Sequence, residues 1–511
     1  MFYTNPIIKG FYPDPSVCKV GDTYYLVCSS MQYFPAVPLF ESKDLINWTQ
    51  IGHCLTRESQ IDLSTVPSSG GVFAPTIRYH EGRFYMCTTN STSRRNFFVW
   101  TDNIYGEWSE PIYVEQDGID PSLFFDNGKT YFLSTGLDDD GVDGIVQCEI
   151  NIETGEKLTK SQVIWLGSGG RYIEGPHMYQ INGYYYLLAA EGGTEYGHMV
   201  TYARSTSPYG PFTLYKDNPV LTNRNLGGYE IQGVGHGDLI EDTNGNWWLF
   251  HLGFRQIGKW LPFHHLGREV FLSPVTWTKD GWFLAGENGT TKKEFPLPKT
   301  KDDSLEPNLQ NEPTENFLQK DKKRFTFDTI DFKKEFAYLR IPEKNHYQFN
   351  GKQLDLVGTS TTLDMIGSPT WIGLRQKDFL GTLSCTVSLT NGEAGITVFM
   401  DEAHHYDLAL RKNGEHYEVI ERLNIGEIKS IQHSYSLNEK NKVTLFIQFD
   451  NEHYHFFLIE NETQISLGKA STRYLSSEVA GGFTGVFFGL YAIDSEENGV
   501  GTFTDFCCEY S

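Results

Sequence analysis

Three carboxyl groups and one imidazole stand at equivalent points of a recurring pattern. Asp14-Pro-Ser precedes Tyr24-Tyr25 by ten residues, and Asp120-Pro-Ser precedes Tyr131-Phe132 by eleven. Glu174-Gly-Pro precedes Tyr185 by eleven, and His236-Gly-Asp precedes Trp247-Trp248 by eleven. Ala74-Pro-Thr holds the same place ten residues before Phe84-Tyr85. A turn signal intervenes each time: Gly21-Asp22, Glu81-Gly82, Asn127-Gly128, Asn182-Gly183 and Asn244-Gly245. A single Asp-Pro is an ordinary loop dipeptide. Five such groups in phase, with varied acids and bases, point instead to one shared pocket. Two carboxyl groups facing a pocket suit hydrolysis of a glycosidic bond. One must be protonated to give a proton to the leaving oxygen. The other must be ionised to activate water or to attack the sugar. A third carboxylate nearby raises the pKa of the acid, because a like charge disfavours ionisation. Asp14, Asp120 and Glu174 supply that count. The sequence holds no Gly-x-Ser-x-Gly elbow, no phosphate-binding glycine loop with Lys and no His-Glu-x-x-His.

The elements that would position these groups follow from the same repeat. Each unit reads as a polar group, a strand, a tight turn and an aromatic strand. A period near 50 residues with hairpin punctuation predicts a β-propeller, one sheet per unit. Five units predict five blades. If each blade begins with the strand nearest the axis, the five polar groups share one end of that axis. Asp44-Leu-Ile-Asn-Trp48, Tyr105-Gly-Glu-Trp108 and Tyr209-Gly-Pro-Phe212 read as turns with packing aromatics rather than as ligand platforms. The pattern predicts a propeller over residues 1–295 and a charged, Pro-containing linker over 296–324. Short alternating strands without that period follow over 325–511, among them Lys442–Phe449 and His453–Ile459, and predict a β-sandwich.

The chain has 511 residues, enough for two or more domains, and a net charge of −23. That excess of acid argues against nucleic acid and anionic membrane as partners, because both are held through Lys and Arg. The eight cysteines form no Cys-x-x-Cys pair, and several lie inside apolar runs. They read as buried thiols of a reducing compartment. The amino-terminal residues lack the basic and long apolar stretches of a secretion signal, and no apolar run is long enough to cross a bilayer. A cytoplasmic protein is therefore expected.

Several stretches together resemble glycoside hydrolase family 43, its β-xylosidase and α-L-arabinofuranosidase members. They are Gly10-Phe-Tyr-Pro-Asp14-Pro-Ser, Ser42-Lys-Asp-Leu-Ile-Asn-Trp48, Ile51-Gly-His, Ala74-Pro-Thr, Gly118-Ile-Asp120-Pro-Ser, Glu174-Gly-Pro-His, Gly235-His-Gly-Asp238 and Leu266-Gly-Arg268-Glu. Each is weak alone; the set is specific. The resemblance implies an all-β chain: a five-bladed β-propeller followed by a β-sandwich of the jelly-roll, concanavalin-like kind. It also implies an inverting mechanism, with Asp14 as general base, Glu174 as general acid and Asp120 tuning and orienting the acid.

The resemblance further implies a sugar-contacting set of Arg268, Met31, Phe34, Phe73, Ala74, His236 and Phe483. Arg268 would hydrogen-bond sugar hydroxyls, or else pair with Glu269 or another acid. His236 would lie near the axis floor, as a hydrogen-bonded core residue or beside a cation. Some members hold a cation there, with calcium before zinc because the surroundings offer oxygen and water. No cofactor takes part in the chemistry. Met31 stands where many xylosidases of the group carry an aromatic, and Phe73 where they often carry Trp. Phe483, in Gly481-Gly-Phe-Thr-Gly485, matches a loop that in related xylosidases reaches the pocket mouth; packing in the sandwich core is the other reading. The expected activity is release of terminal xylose from xylo-oligosaccharides, with α-L-arabinofuranosidase activity as the alternative. A non-catalytic sugar-binding propeller and an endo-acting arabinanase or xylanase are the remaining readings. A small oligosaccharide is the expected partner, and relatives of this two-domain form often form homo-oligomers.

Overall fold

The computed structural model describes residues 2–297, 327, 334–437 and 441–511. It divides into two compact units: Met1–Asp62, Gly70–Pro262 and Arg268–Lys301 in the first, Leu63–Ser69, Phe263–Gly267 and Asp302–Ser511 in the second. From residue 298 on, the stretch read as a linker lies outside the described residues.

The first unit is five antiparallel sheets of four strands, in chain order. Their first strands are Ser16–Val20, Thr76–His80, Ile119–Asp126, Glu174–Ile181 and Ile231–Glu241. Each first strand touches the next, and the fifth touches the first, so these strands line the axis of a closed ring. Phe2–Thr4 pairs with Glu294–Pro296, which joins the two ends of the unit. The predicted hairpin turns form for the predicted reason. Asn127-Gly128 and Asn182-Gly183 place two consecutive residues at positive φ, the requirement of a tight two-residue hairpin. Between blades the packing is aromatic and aliphatic, as where Trp48 meets Phe250 edge-on, with ring centroids 5.7 Å apart.

A buried polar cluster also ties inner strands together. Asp238 of the fifth blade accepts from Ser16 at 2.7 Å, from the Val17 N–H at 3.0 Å and from both terminal nitrogens of Arg78. Tyr179 donates to the same carboxylate, and Arg78 also meets the His177 ring at 2.8 Å. Four inner strands thus share one saturated carboxylate, which is how a buried charge is tolerated.

Three of the polar groups sit on backbone that most residues avoid. Asp14, Asp120 and His236 have φ of 55°, 54° and 50°, and Gly175, just after Glu174, has φ 61°. The strand register shifts at the last three places. A bulge with one residue in the left-handed region re-aims a side chain, and Asp and His tolerate that region better than most residues. The phase read from the sequence is therefore also a phase in backbone geometry.

The second unit is two packed sheets. One runs Tyr347–Asn350, Gln353–Val357, Val500–Tyr510, Gly381–Leu389, Lys442–Phe449, His453–Glu460 and Thr463–Ser471 in neighbour order. Every second residue of Gly381–Leu389 is buried, the two-residue period of a half-buried strand. Leu383, Cys385 and Val387 meet Ile396, Val398 and Leu408 of the facing sheet in a continuous apolar core. This is the concanavalin-like sandwich expected. All eight cysteines are free thiols, seven of them buried and Cys507 half-buried.

Candidate active site

Asp14 is buried where the chain enters the first blade. Its Oδ2 accepts the Ser29 hydroxyl at 2.7 Å, and its Oδ1 accepts Arg268 Nη1 at 3.0 Å. The His236 ring lies 3.7 Å from the same oxygen. Burial alone would raise its pKa. The charge of Arg268, with His236 and the Ser29 hydroxyl, outweighs burial and holds Asp14 below the ordinary carboxylate value. It is ionised at neutral pH.

Glu174 opens the first strand of the fourth blade. The loop before it is clamped by a second buried acid: Glu191 accepts the N–H groups of Ser168 at 2.7 Å and Gly170 at 2.6 Å. Arg171 Nε binds the Gly192 carbonyl at 3.0 Å. Burial, and then the charge of Asp14, push the Glu174 pKa up to about 7, against a smaller opposing effect of Arg268. Asp120 is raised well above its usual value, by burial first and by Glu174 and Asp14 next. The backbone N–H of Gly175 and the charge of Arg268 work the other way. The three carboxyl groups therefore act on one another across blades one, three and four. Their environments separate an ionised group from protonated ones, as an acid–base pair requires.

Arg268 Nη1 donates to Asp14 and also to the Thr194 hydroxyl, both at 3.0 Å. Glu269 is engaged elsewhere: it holds Arg255 through two bonds, of 2.8 and 2.9 Å, and accepts the Gly10 N–H at 2.7 Å. Of the two readings of Arg268, the acid it meets is Asp14, in the site itself. His236 is buried against Gly175, where an added Cβ would come within 2.8 Å of the ring. Burial lowers its pKa first and most, so the ring is neutral. Met31 has φ 50° and is bridged to Val72 by two backbone bonds of 3.0 Å, which places it beside the Phe73 segment. Phe34 and Ala74 are buried and Phe73 is partly so. Phe483 is 42% exposed, so it is not part of the sandwich core; its N–H donates to the Ser69 hydroxyl at 2.8 Å.

The sequence reading did not single out His198. Its ring is buried, with Nδ1 3.2 Å from the Gly233 carbonyl. Nδ1 is thus the donor, and the lone pair is on Nε2. That nitrogen is buried without a hydrogen-bond partner and lies 3.9 Å from Glu174 Oε1. Burial above all holds its pKa down to about 3, so it too is neutral. Gly235 makes the position possible, because a Cβ there would come within 2.4 Å of the ring. The available signal was a histidine heading the apolar strand Met199–Ser205 after a Gly-Gly loop.

Residues 3–283 match the family model described as Glycosyl hydrolases family 43. Residues 324–508 match the Beta xylosidase C-terminal Concanavalin A-like domain. The chain is 38% identical over 502 residues to the non-reducing end alpha-L-arabinofuranosidase BoGH43B of Bacteroides ovatus, covering 96% of this chain and 91% of the relative. It is 36% identical to a xylosidase/arabinosidase of Butyrivibrio fibrisolvens, covering 99% and 98% of the two chains. The solved structure described as Bacteroides ovatus Xyloglucan PUL GH43B superposes with a TM-score of 0.89 at 35% identity, covering 99% of this chain and 100% of that one.

Proposed function

The chain belongs to glycosyl hydrolases family 43, and from that premise we propose that it is an inverting exo-glycosidase that releases terminal xylose from the non-reducing ends of xylo-oligosaccharides. The observation that carries this reading is the opposite state of two carboxyls in one site, Asp14 buried and Glu174 partly buried. Asp14 is held ionised by Arg268, while Glu174 is pushed up to about 7 and keeps its proton.

In this reading Asp14 takes a proton from water as the water oxygen bonds to the anomeric carbon. Glu174 gives its proton to the glycosidic oxygen as the old carbon–oxygen bond breaks. Asp14 ends protonated and Glu174 ionised, and exchange with solvent resets them. Arg268 orients Asp14 through its Nη1 and would meet sugar hydroxyls at that end of the site. Asp120, in the neighbouring blade, tunes and orients the acid. The Asp14 and Glu174 carboxyls should stand about 6.5–9.5 Å apart, leaving room for water; about 5 Å would indicate retention.

The neighbours of His236 do not build a calcium cage. Asp238 is saturated by Arg78, Ser16 and Tyr179, and Asp14 is already paired with Arg268 and Ser29. No step is routed through an ion there. α-L-Arabinofuranosidase activity is the second reading, favoured by Met31 and Phe73 where bulkier aromatics are common and by the names of both relatives. Turnover of p-nitrophenyl β-D-xylopyranoside, p-nitrophenyl α-L-arabinofuranoside and xylobiose decides between the two. Inertness toward all three would end both. Inversion predicts that the first sugar released from xylobiose is the α-anomer by proton NMR. A cytoplasmic setting, supported by eight free thiols, and association of copies belong to the same proposal. Cell fractionation and light scattering are their tests.

A further inference from the structure

The strands Lys442–Phe449 and His453–Glu460 of the second unit form a hairpin. Its turn and second strand carry Asp450-x-x-His453-x-His455, which the reaction above does not use. Tyr454, Phe456 and Leu458 lie in the sandwich core. By the two-residue period, His453 and His455 share the opposite, outward face. Asp450 opens the turn. Its Oδ1 accepts the N–H groups of Glu452 and His453, each at 2.8 Å. Those bonds fix the carboxylate and leave Oδ2 facing His455 Nε2 at 3.3 Å. The His453 and His455 ring centroids are 5.7 Å apart. One ligand atom from each of Asp450, His453 and His455 lies within 4.8 Å of the others, the one such group among the described residues.

We propose that Asp450, His453 and His455 form a binding site for a first-row divalent metal ion, zinc in particular. Two imidazole nitrogens and one carboxylate oxygen are a borderline donor set, and three such ligands leave the fourth corner of a tetrahedron to water. A single carboxylate is too few oxygens for calcium, which takes 6–8. The two backbone bonds to Asp450 Oδ1 do what outer partners do in metal sites: they fix the ligand before the ion arrives. Small rotations of these half-buried rings close the remaining distance, and ligation replaces the Asp450–His455 hydrogen bond. Gln448 and Lys469 flank His455 in the strand pairing, and both are exposed. The Lys469 ammonium is a like charge that must swing into solvent. The ion would tie the turn to its strand and rigidify the hairpin.

The test is calorimetric titration of the tag-free, chelator-stripped full chain with zinc chloride, beside His453→Ala/His455→Ala and Asp450→Ala. The wild type should bind one equivalent that the double variant lacks. Asp450→Ala, which keeps both imidazoles, should bind that equivalent roughly 10–100-fold more weakly. Zinc should raise the thermal midpoint of the wild type and not of the double variant. Cobalt(II) should give the intense visible bands of a tetrahedral site in the wild type alone. Turnover of p-nitrophenyl xyloside without metal should be equal in all three chains, which shows that the variants fold. The proposal is overturned if the double variant binds as many equivalents as the wild type, or if the wild type binds none saturably.

Discussion

The backbone N–H of Gly175, in the fourth blade, acts on the Asp120 carboxyl of the third and works against its raised pKa, so the two face each other beside Glu174. Gly175 is held at φ 61° and packed under the His236 ring, so the peptide beside Glu174 is fixed from two sides. Asp120→Ala removes the polar group that faces that N–H and leaves Glu174 freer to move. The expected loss in kcat is roughly 10²–10⁴-fold, the usual worth of a placed acid. Asp120→Asn keeps an acceptor oxygen and should lose less. Equal losses in the two would mean that the proton of the Asp120 carboxyl, and not its oxygen facing Gly175, is what matters.

The leaving group separates the roles of Glu174 and Asp14. Nitrophenolate departs without a proton, whereas a sugar alkoxide does not. Glu174→Ala should therefore lose far more turnover on xylobiose than on p-nitrophenyl xyloside, by at least about 10²-fold. Asp14→Ala removes the base that both reactions need and should abolish them alike. Steady-state kinetics on the two substrates read this directly; a uniform loss in Glu174→Ala would remove it from the acid's role.

Activity requires ionised Asp14 and protonated Glu174, so its pH profile should be a bell. The alkaline limb should fall near pH 7, with Glu174, and the acid limb below the usual carboxylate range, with Asp14. Stability carries the opposite signs for the two groups. Glu174 is raised in the fold, so its contribution is present below about pH 4.5 and lost as pH rises through about 7. Asp14 is lowered, so its contribution is present above the unfolded value and lost as pH falls through the folded one. Glu174→Gln removes a buried charge that the wild type must carry at pH 8. It should be more stable there by roughly 1–3 kcal/mol and show no gain at pH 4.5. Denaturant melts at the two pH values check both signs.

Much of this was legible in the residues because the repeat carried it. Asn127-Gly128 and Asn182-Gly183 announce hairpins since few other pairs tolerate two positive φ values, and the hairpins set the phase that brings Asp14, Asp120, Glu174 and His236 to one axis. The bulges that re-aim those side chains were not legible: Asp and His permit the left-handed region but do not demand it. Arg268 and Glu269 show a different limit. They are adjacent in sequence, yet successive side chains at a strand point to opposite faces, so one meets Asp14 and the other Arg255. Thr194 and His198 were harder to place, because a loop fold brings them in and the histidine before Met199–Ser205 has no spacing that ties it to Glu174. The glycines around them record that fold only once coordinates show what each would clash with.

His198 offers the sharpest remaining test. Its Nε2 lone pair stands 3.9 Å from Glu174 Oε1, so a small approach would let it accept from the protonated acid, whereas a lone pair repels a carboxylate. Gln at this position can turn an amide N–H toward Glu174 and favour the charged form instead. His198→Gln should therefore move the alkaline limb of the profile to lower pH and cost turnover more at pH 7 than at pH 5. A change that only loosened the packing would lower kcat at all pH values and leave the limb in place. Gly235→Ala is the companion variant, since its Cβ would meet the His198 ring at 2.4 Å and push it from its seat. It should shift the limb in the same direction and lower the thermal midpoint as well. An unmoved limb in both variants would show that His198 fills space beside Glu174 without setting its proton.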